Sequence, residues 1–325
     1  MITLFSIILP MLLNASALLA QSGGYTGSFQ RLGFGPRGMA MGNAMVSVTG
    51  DGVYGYYNPA LAAHISENRQ IDISSAVMQF DRKLNMVNAH FNLPPSAGFG
   101  LYLIHAGVSD IDGRTNSGYH TQMLSTNEFQ LGSQFGIRLT PRIWSGIGLK
   151  FNMARFHTEL SSSRAFGADI GFLIQFTENI FTAITIQDLL ATYQWSAGDL
   201  YGDDFNITTE HSFPVRLKGG ISYIPSDSFL FASEFEYRIH SVPENGSGIN
   251  STYLRLGGRY YMHERFTLRG GIRILDMKTD LTSTFSTGFS IHLPFDKFSP
   301  SIDYTFAQEP NKVSNLHVFA LRLMI

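Results

Sequence analysis

Apolar and polar residues alternate along most of the chain after residue 70. In one segment Phe229 and Phe231 fall on one face, and Glu234 and Glu236 fall on the other. A repeat of two residues is that of a β-strand, because successive side chains of a strand point to opposite faces. The pattern recurs in about fourteen segments, each about ten residues long. These segments begin near Gln70, Lys83, Ala97, Thr126, Arg142, Arg164, Asn179, Phe213, Ser228, Asn250, Glu264, Asp280, Phe298 and Ser314.

The connections between these segments alternate between short and long, which is typical of outer-membrane barrels. Long connections are expected at 109–125, 157–163, 189–212, 241–248 and 308–313. A soluble β-sandwich or soluble barrel also alternates, but its strands usually have only about five or six residues. A strand that crosses a bilayer needs about nine to eleven. The pattern therefore predicts an all-β fold, an antiparallel transmembrane β-barrel of about 14 strands with apolar side chains toward lipid and charged ones toward the lumen.

The first twenty residues are mostly apolar and end in Ala20, as in the apolar region of a secretory signal peptide. Residues 1–20 are therefore predicted to be a signal peptide. Pro10 and Asn14 interrupt the run, which disfavours a retained membrane anchor. The net charge of −2 offers no basic face for nucleic acid, and a chain without cysteine has no disulfide or thiolate metal site.

Residues 21–67 precede the first strand and contain a glycine-rich stretch. Gly33, Gly35 and Gly38 match the G-x-G-x-x-G fingerprint of dinucleotide-binding folds. That fingerprint requires a buried parallel strand before it, whereas the residues here are QSGGYTGSFQ and the later segments are antiparallel, so a nucleotide site is rejected. Helix-compatible runs at 39–45 and 59–64 instead predict a hatch inside the barrel formed by residues 68–325. A disordered periplasmic tail is the alternative.

The sequence GPRGMAMGNAMVSVTGDGVYGYYNPALAA, at 35–63, resembles the N-terminal signature of the PorV/PorQ family of FadL-like outer-membrane proteins. The residues that carry the resemblance are Arg37, Met41, Gly42, Asn43, Ala44, Asp51, Tyr57, Asn58, Pro59 and Ala60, and Gly33, Gly35 and Gly38 complete the predicted hatch motif. The resemblance implies a 14-stranded barrel with this hatch in its lumen, in the outer membrane of a Gram-negative (diderm) bacterium. The chain departs from the family in being shorter than typical FadL transporters and in ending at Ile325 rather than at an aromatic residue.

The polar faces of the later strands carry charges of both signs. If adjacent strands pair in order, Arg216 and Lys218 face Glu234 and Glu236. The other charges predicted to line the lumen are Arg238, Arg255, Arg259, Arg269, Arg273 and Asp303. Three roles are open for these charges: they line a polar conduit, they bind the hatch, or they only neutralise one another in a water-filled lumen. The mixed signs favour mutual neutralisation over ion selection.

The long connection 189–212 holds two further groups of candidates. Asp199, Asp203 and Asp204 offer carboxylate oxygens for Ca²⁺, but their spacing is not that of an EF-hand, so a solvated loop is favoured. Tyr193 and Trp195 are predicted to lie in an interfacial aromatic belt, with contact to cargo as the alternative.

Enzymatic motifs are not found. The ten histidines have no H-E-x-x-H spacing, and no G-x-S-x-G elbow occurs. Glu234 and Glu236 share a face with several cations, which would keep both ionised and prevent a division into acid and base. No catalytic residue, metal or cofactor is predicted.

Two functions remain open. In the first, implied by the PorV/PorQ resemblance, the protein is an accessory of type IX protein secretion that binds secretion-machinery subunits or secreted proteins. In the second, it resembles FadL and transports long-chain fatty acids or other hydrophobic small molecules. Outer-membrane lipid is a predicted partner in both.

Overall fold

The computed structural model describes residues 26–51, 55–64, 69–157, 160–196, 208–239, 250–275, 282–293, 295, 299–309 and 314–324. Within these residues, fourteen strands form a closed antiparallel barrel, which confirms the predicted fold class and strand number. The predicted signal peptide and Asp199, Asp203 and Asp204 lie outside the described residues.

The barrel strands are β1 (Gln70–Val77), β2 (Arg82–Leu93), β3 (Ala97–Arg114), β4 (His120–Thr140), β5 (Ile143–Arg155), β6 (Ser163–Gln175), β7 (Ile180–Leu189), β10 (Val215–Ser226), β11 (Phe229–Ile239), β12 (Ser251–His263), β13 (Phe266–Leu275), β14 (Thr282–His292), β15 (Ser299–Gln308) and β16 (Asn315–Met324). A separate two-stranded sheet is formed by β8 (Thr192–Ser196) and β9 (Thr208–Ser212).

The first and last strands close the barrel. Gln70 in β1 lies opposite Met324 in β16, and Val77 lies opposite His317. Strands that are consecutive along the barrel pair in order, except that β7 pairs with β10 because β8 and β9 form their own sheet between them in sequence. Closure gives each of the fourteen barrel strands a neighbour on both sides, which is what a sheet inside hydrocarbon requires.

The two faces of the barrel wall differ in the way the alternation predicts. On β11, Phe231 is 52% exposed on the outer face, whereas Glu234 is 1% exposed on the inner face. Large apolar side chains cover the outer face of the other strands in the same way, and polar and charged side chains are buried inside. This is the reverse of a soluble protein and is suited to lipid outside. No helix among the described residues is long and apolar enough to cross a membrane.

The connections at the two ends of the barrel differ in their range of lengths. Those after β2, β4, β6, β10, β12 and β14 have two to six residues, and this end is called the short-turn end below. Those after β1, β3, β5, β7, β11, β13 and β15 have four residues or more and include the longest, so this end is called the long-loop end below. β1 begins and β16 ends at the short-turn end.

The predicted loop at 109–125 is wrong. β3 and β4 continue beyond the neighbouring strands as a hairpin in which Arg114 lies opposite His120. A bulge lies between Val108 and Ile111, and Asp110 has a φ of 56°. The extra residue shifts the side-chain alternation, and this shift conceals the strand from a strict two-residue pattern.

The residues before β1 form three short helical turns, namely 3₁₀ helices at Ser28–Arg31 and Pro59–Ala63 and the helix α1 at Pro36–Ala40. The helix predicted at 39–45 is therefore misplaced. Pro36 favours the first helical turn, and Gly42 and Asn43, with φ values of 63° and 65°, end it with left-handed backbone.

Candidate functional site

The N-terminal segment, defined as residues 26–51 and 55–64, lies along the inner face of the barrel wall. Gly27, at its start, packs against the ring of Phe213, at the long-loop end. His64, at its end, stacks edge to face with Trp144 and Phe181 near the short turns, at centroid distances of 4.8 Å and 5.4 Å. The segment therefore extends along the lumen from one end of the barrel to the other.

Two wall glycines let the segment touch the sheet backbone directly. A Cβ atom on Gly271 of β13 would lie 2.1 Å from the backbone nitrogen of Gly42. A Cβ atom on Gly257 of β12 would lie 2.5 Å from the carbonyl oxygen of Met41. Only glycine permits such an approach. The Gly42 N–H also donates to Ser286 Oγ at 3.1 Å, so the wall supplies a hydrogen bond at the same point.

Asn58 fixes the second half of the segment. Its Oδ1 accepts from the Ala60 N–H at 3.0 Å and caps the 3₁₀ helix, in which Pro59 takes the first position. Its Nδ2 donates to the carbonyl oxygens of Val46 at 2.9 Å and of Phe172, in β6, at 3.1 Å. The Asn-Pro-Ala run therefore joins two parts of the segment to the wall.

The glycine-rich part of the segment forms a compact turn. Tyr57 Oη accepts from the Phe34 N–H at 2.9 Å and lies 2.6 Å from Asn43 Oδ1. Gly33 and Gly35 have φ values of 102° and 69°, which other residues rarely adopt. A Cβ atom on Gly38 would meet the Tyr57 hydroxyl. The G-x-G-x-x-G pattern is thus explained by local backbone geometry and by packing against tyrosine.

Asp51 and Arg37 of the segment form ion pairs with the wall. Arg37 Nε donates to Asp303 Oδ2 at 2.9 Å, and Arg269 Nε donates to Asp51 Oδ2 at 2.7 Å. The Arg37 and Asp51 side chains are themselves 3.8 Å apart, and Arg37 also bonds Ser301. Burial raises the pKa of Asp51, but the Arg269 guanidinium, with Arg37 beside it, lowers it further, to about 2.

A second ionic cluster lies on β10, β11 and β12. Arg255 donates to Glu234 Oε1 and to Glu236 Oε2, each at 2.7 Å, and Arg238 also pairs with Glu236. Lys218 is 3.8 Å from Glu236. The other carboxylate oxygen of Glu234 accepts the backbone N–H groups of residues 45 and 46 at 3.0 Å each. Glu234 therefore connects the cluster to the N-terminal segment.

A third ionic cluster was not found from the sequence. Lys150 Nζ lies 2.7 Å from Asp169 Oδ2 and 2.8 Å from Asp188 Oδ1, and Arg216 lies 2.6 Å from Asp188 Oδ2. Gln30 of the segment also donates to Asp188, at 3.3 Å. Lys150 and Asp169 lie on inner-face positions of the alternating pattern, and this signal would have revealed them.

The predicted pairing of Arg216 with the β11 glutamates is wrong. In the observed register Arg216 lies opposite Arg238, and Lys218 lies opposite Glu236. Arg216 instead turns toward β7 and pairs with Asp188. Asp188 has a φ of 64° next to an irregular register between β6 and β7, so a regular alternation does not place its side chain.

The remaining predicted lumen charges are also buried on the inner face. Arg259 stacks over the Tyr261 ring at 4.1 Å and lies 3.4 Å from the Gly50 carbonyl oxygen. Arg273 lies opposite Arg255 in the register of β12 and β13 and is 7% exposed.

Among the described residues, no group of three or more His, Asp or Glu is arranged to hold a metal ion.

The predicted place of Tyr193 in a membrane-facing belt is wrong. Tyr193 is fully buried, with its ring 5.0 Å from Phe213 and 5.4 Å from Trp195. The reason is that β8 and β9 fold against β6, where Gln194 N donates to Ser163 Oγ at 2.9 Å. Trp195 is partly buried against the same cluster. This small sheet covers part of the long-loop end, next to the start of the N-terminal segment.

A cavity of about 180 Å³ lies at the long-loop end between the N-terminal segment and the barrel wall. Its apolar lining includes Phe29 and Leu32 of the segment and Met78, Leu84 and Ala106 of the wall. The polar residues in its lining include Arg82, Lys83, Glu128 and Glu309. The cavity is thus half open and lined by apolar and polar side chains in similar number, and its size suits a small organic ligand.

No protein-family model matches the chain, and a search of curated proteins also finds no match. Solved structures are similar in fold. The toluene transporter TodX of Pseudomonas putida has a TM-score of 0.61 at 13% identity, covering 90% of this chain and 96% of that one. The toluene transporter TbuX of Ralstonia pickettii has 0.60 at 13%, covering 91% and 98%. A Pseudomonas aeruginosa FadL homologue has 0.60 at 10%, covering 89% and 97%. At such identities the likeness establishes the fold, and the chain is therefore a barrel with the FadL-like fold.

Proposed function

We propose that the protein is an outer-membrane channel for hydrophobic small molecules and that the N-terminal segment is the hatch that closes it. The observation that carries this proposal is the cavity between the first residues of the segment and the barrel wall, whose lining includes Phe29, Leu32 and Leu84. Proteins with the same fold are described as toluene transporters and as a monoaromatic hydrocarbon channel, which supports this class of ligand.

The size and lining of the cavity suit such a ligand. Its volume of about 180 Å³ exceeds the roughly 150 Å³ of an engineered apolar cavity that binds benzene. Phe29 and Leu84, which line it, are buried members of a larger apolar cluster. Contact with such side chains stabilises an apolar guest because the guest's surface is removed from water.

The N-terminal segment accounts for closure. Beyond the cavity, the lumen is occupied by the segment and by the buried ion pairs of Arg37, Asp51 and Glu234. Charged surroundings are unfavourable for an apolar molecule. A ligand in the cavity therefore advances when the segment shifts away from the wall, which is the action of a hatch.

The outer face of the wall supports the proposed location. Exposed Phe, Ile and Leu residues on the strands require a hydrocarbon surrounding, and closed barrels of antiparallel strands are the β-structures that bilayers accept. The proposed location is the outer membrane of a Gram-negative bacterium, with lipid as the surrounding partner.

Uptake of toluene into proteoliposomes tests the proposal. Ala106→Phe places a larger side chain in the cavity, whereas Leu103→Phe changes a lipid-facing residue of the same strand. We expect Ala106→Phe to lower the uptake rate several-fold and Leu103→Phe to match the wild type, with heat-modifiable gel migration to verify that both are folded. Equal uptake by protein-containing and empty vesicles would refute the channel.

A second function, as an accessory of type IX secretion, is supported by a different observation. The lumen is rich in buried ion pairs and is filled by a segment whose sequence resembles the PorV/PorQ signature. This function predicts that secretion subunits or secreted proteins co-purify from outer membranes in mild detergent. Co-purification without toluene uptake would favour it over the channel.

A further inference from the structure

The charged side chains that line the cavity differ in whether they have hydrogen-bond partners. Both terminal nitrogens of Arg82 donate hydrogen bonds to the Glu309 carboxylate, at 2.8 Å and 2.7 Å. One of them also donates to Ser314 Oγ at 2.8 Å. Its Nε donates to the carbonyl oxygen of Gln79 at 2.9 Å. Arg82 and Glu309 therefore form a closed ion pair at the wall.

Glu128 differs from this pair. Its Oε2 is buried and has no hydrogen-bond partner among the described residues. The residues directly opposite Glu128 on the neighbouring strands are Ala106 and Ala154, which offer no side-chain donor. Lys83 borders the cavity, but it is exposed and lies on the face of β2 opposite to that of Leu84. An unsatisfied buried carboxylate oxygen is costly, so its presence in a cavity requires an explanation.

A second unsatisfied polar atom lies close to the first. The hydroxyl of Tyr193 is buried without a hydrogen-bond partner in the described part of the chain. Burial raises the pKa of Tyr193, and the nearby Glu128 carboxylate raises it further, so the phenol stays protonated. Neither group has a hydrogen-bond partner for this atom among the described residues, and of the two only Glu128 lines the cavity.

We infer that the cavity selects hydrophobic molecules that carry a hydrogen-bond donor, such as a hydroxyl or an ammonium group, and that Glu128 accepts this donor. The inference rests on the proposed function, because it assigns a ligand class to the same cavity. The apolar body of the ligand contacts Phe29, Leu32 and Leu84, while its donor reaches the carboxyl group of Glu128, which lines the cavity and turns about its terminal bond to present Oε2. The ligand thereby satisfies the acceptor that the protein leaves open.

Calorimetric binding to the purified full chain in detergent tests this selectivity, at about pH 8.5 so that the carboxyl group of Glu128 and the amine of benzylamine are both mostly charged. The probes are toluene, benzyl alcohol and benzylamine, which share a ring and differ in the donor. We expect benzyl alcohol and benzylamine to bind about tenfold or more tightly than toluene, as for a hydrogen bond to a charged group. Glu128→Leu should remove this preference. Glu128→Gln should keep the preference for benzyl alcohol and lose most of that for benzylamine, because its amide oxygen accepts but carries no charge.

The control and the contrary outcomes separate this inference from the proposed function. Glu264→Leu changes an exposed turn residue at the opposite end of the barrel and should leave the preference as in the wild type. Toluene binding that equals benzylamine and benzyl alcohol binding, or a preference that survives Glu128→Leu, overturns the inference while the channel stands. Failure of every probe to bind, together with absent toluene uptake, overturns both.

Discussion

At the scale of single residues, the buried charges of this protein join separate elements to one another. Asp51 of the N-terminal segment meets Arg269 of β13, and Arg37 of the segment meets Asp303 of β15. Each pair is nearly inaccessible to water, so removal of one partner leaves a buried charge without its counterion. These contacts hold the segment against the wall, which simple neutralisation of a water-filled lumen would not require.

Asp51 lies outside the membrane-spanning strands and gives a prediction about pH. Its pKa in the folded protein is about 2, below the ordinary value of 3.8. The ionised form therefore stabilises the folded protein fully above pH 4, and this stabilisation is lost as the pH falls toward 2. The difference between the two pKa values corresponds to about 2 kcal/mol. Asp51→Asn should lower the free energy of unfolding at pH 6, and its deficit relative to wild type should shrink by about this amount near pH 2.

Denaturant unfolding of the protein in detergent at both pH values measures this deficit. Asp227→Asn, in the exposed turn between β10 and β11, is the matched control and should follow the wild type at both pH values. A deficit for Asp51→Asn that is the same at pH 6 and near pH 2 would contradict the assignment of an ionised, stabilising Asp51.

Residue types alone reveal part of this network. Alternation places Glu234, Glu236 and Arg255 on the inner face, and the structure pairs them. The pairing of Arg216 with Asp188 was missed because Asp188 lies where the register between β6 and β7 is irregular. The partners Arg37 and Asp303 are separated by most of the chain, and only the closed barrel brings them together.

At the scale of elements, the strands are predictable from the sequence and the connections are not. Each strand carries its own two-residue signal, because lipid and lumen impose opposite demands on its two faces. The continuation of β3 and β4 is concealed by a bulge, and the β8–β9 sheet is too short and too polar to show alternation. In the N-terminal segment, the glycine-rich motif is evident from the sequence. The path of the segment along the wall is not, because it depends on glycines of the barrel strands.

That dependence on wall glycines gives a matched pair of variants. Gly271→Val would place a side chain where the Gly42 backbone lies, because even its Cβ would be 2.1 Å from the Gly42 nitrogen. Gly270→Val changes the preceding residue, whose Cβ would meet only the Ser286 carbonyl oxygen at 4.0 Å. If the segment closes the barrel, Gly271→Val should raise single-channel conductance in planar bilayers, whereas Gly270→Val should not.

Deletion of residues 23–67 provides the limiting case for the same measurement. It should give a conductance at least as large as that of Gly271→Val, since the whole segment is removed. A deletion variant that folds and conducts no better than the wild type would show that the segment does not close a pore.

At the scale of the whole molecule, the distribution of polar and apolar side chains is the inverse of that in a soluble protein. The inner face holds ion pairs and the N-terminal segment, while the outer face is covered by large apolar residues. In water such an outer face would drive association, because monomeric soluble proteins rarely expose apolar patches of more than a few hundred Å². In a bilayer the same face is solvated by hydrocarbon, and the ordered lumen takes the place of a soluble protein's core. The proposed channel function and the proposed secretion function both require this arrangement.

A charge introduced on the outer face tests the inversion directly. Leu149 is 62% exposed on the outer face near the middle of β5, and Tyr119 is 75% exposed in the turn between β3 and β4 at the long-loop end. In a bilayer, arginine at mid-depth costs about 2–4 kcal/mol of stability and close to zero beyond the interface. Leu149→Arg should therefore lower the free energy of unfolding in lipid vesicles by this amount, and Tyr119→Arg should leave it nearly unchanged. Equal and small effects of the two substitutions would mean that water, and not hydrocarbon, surrounds β5.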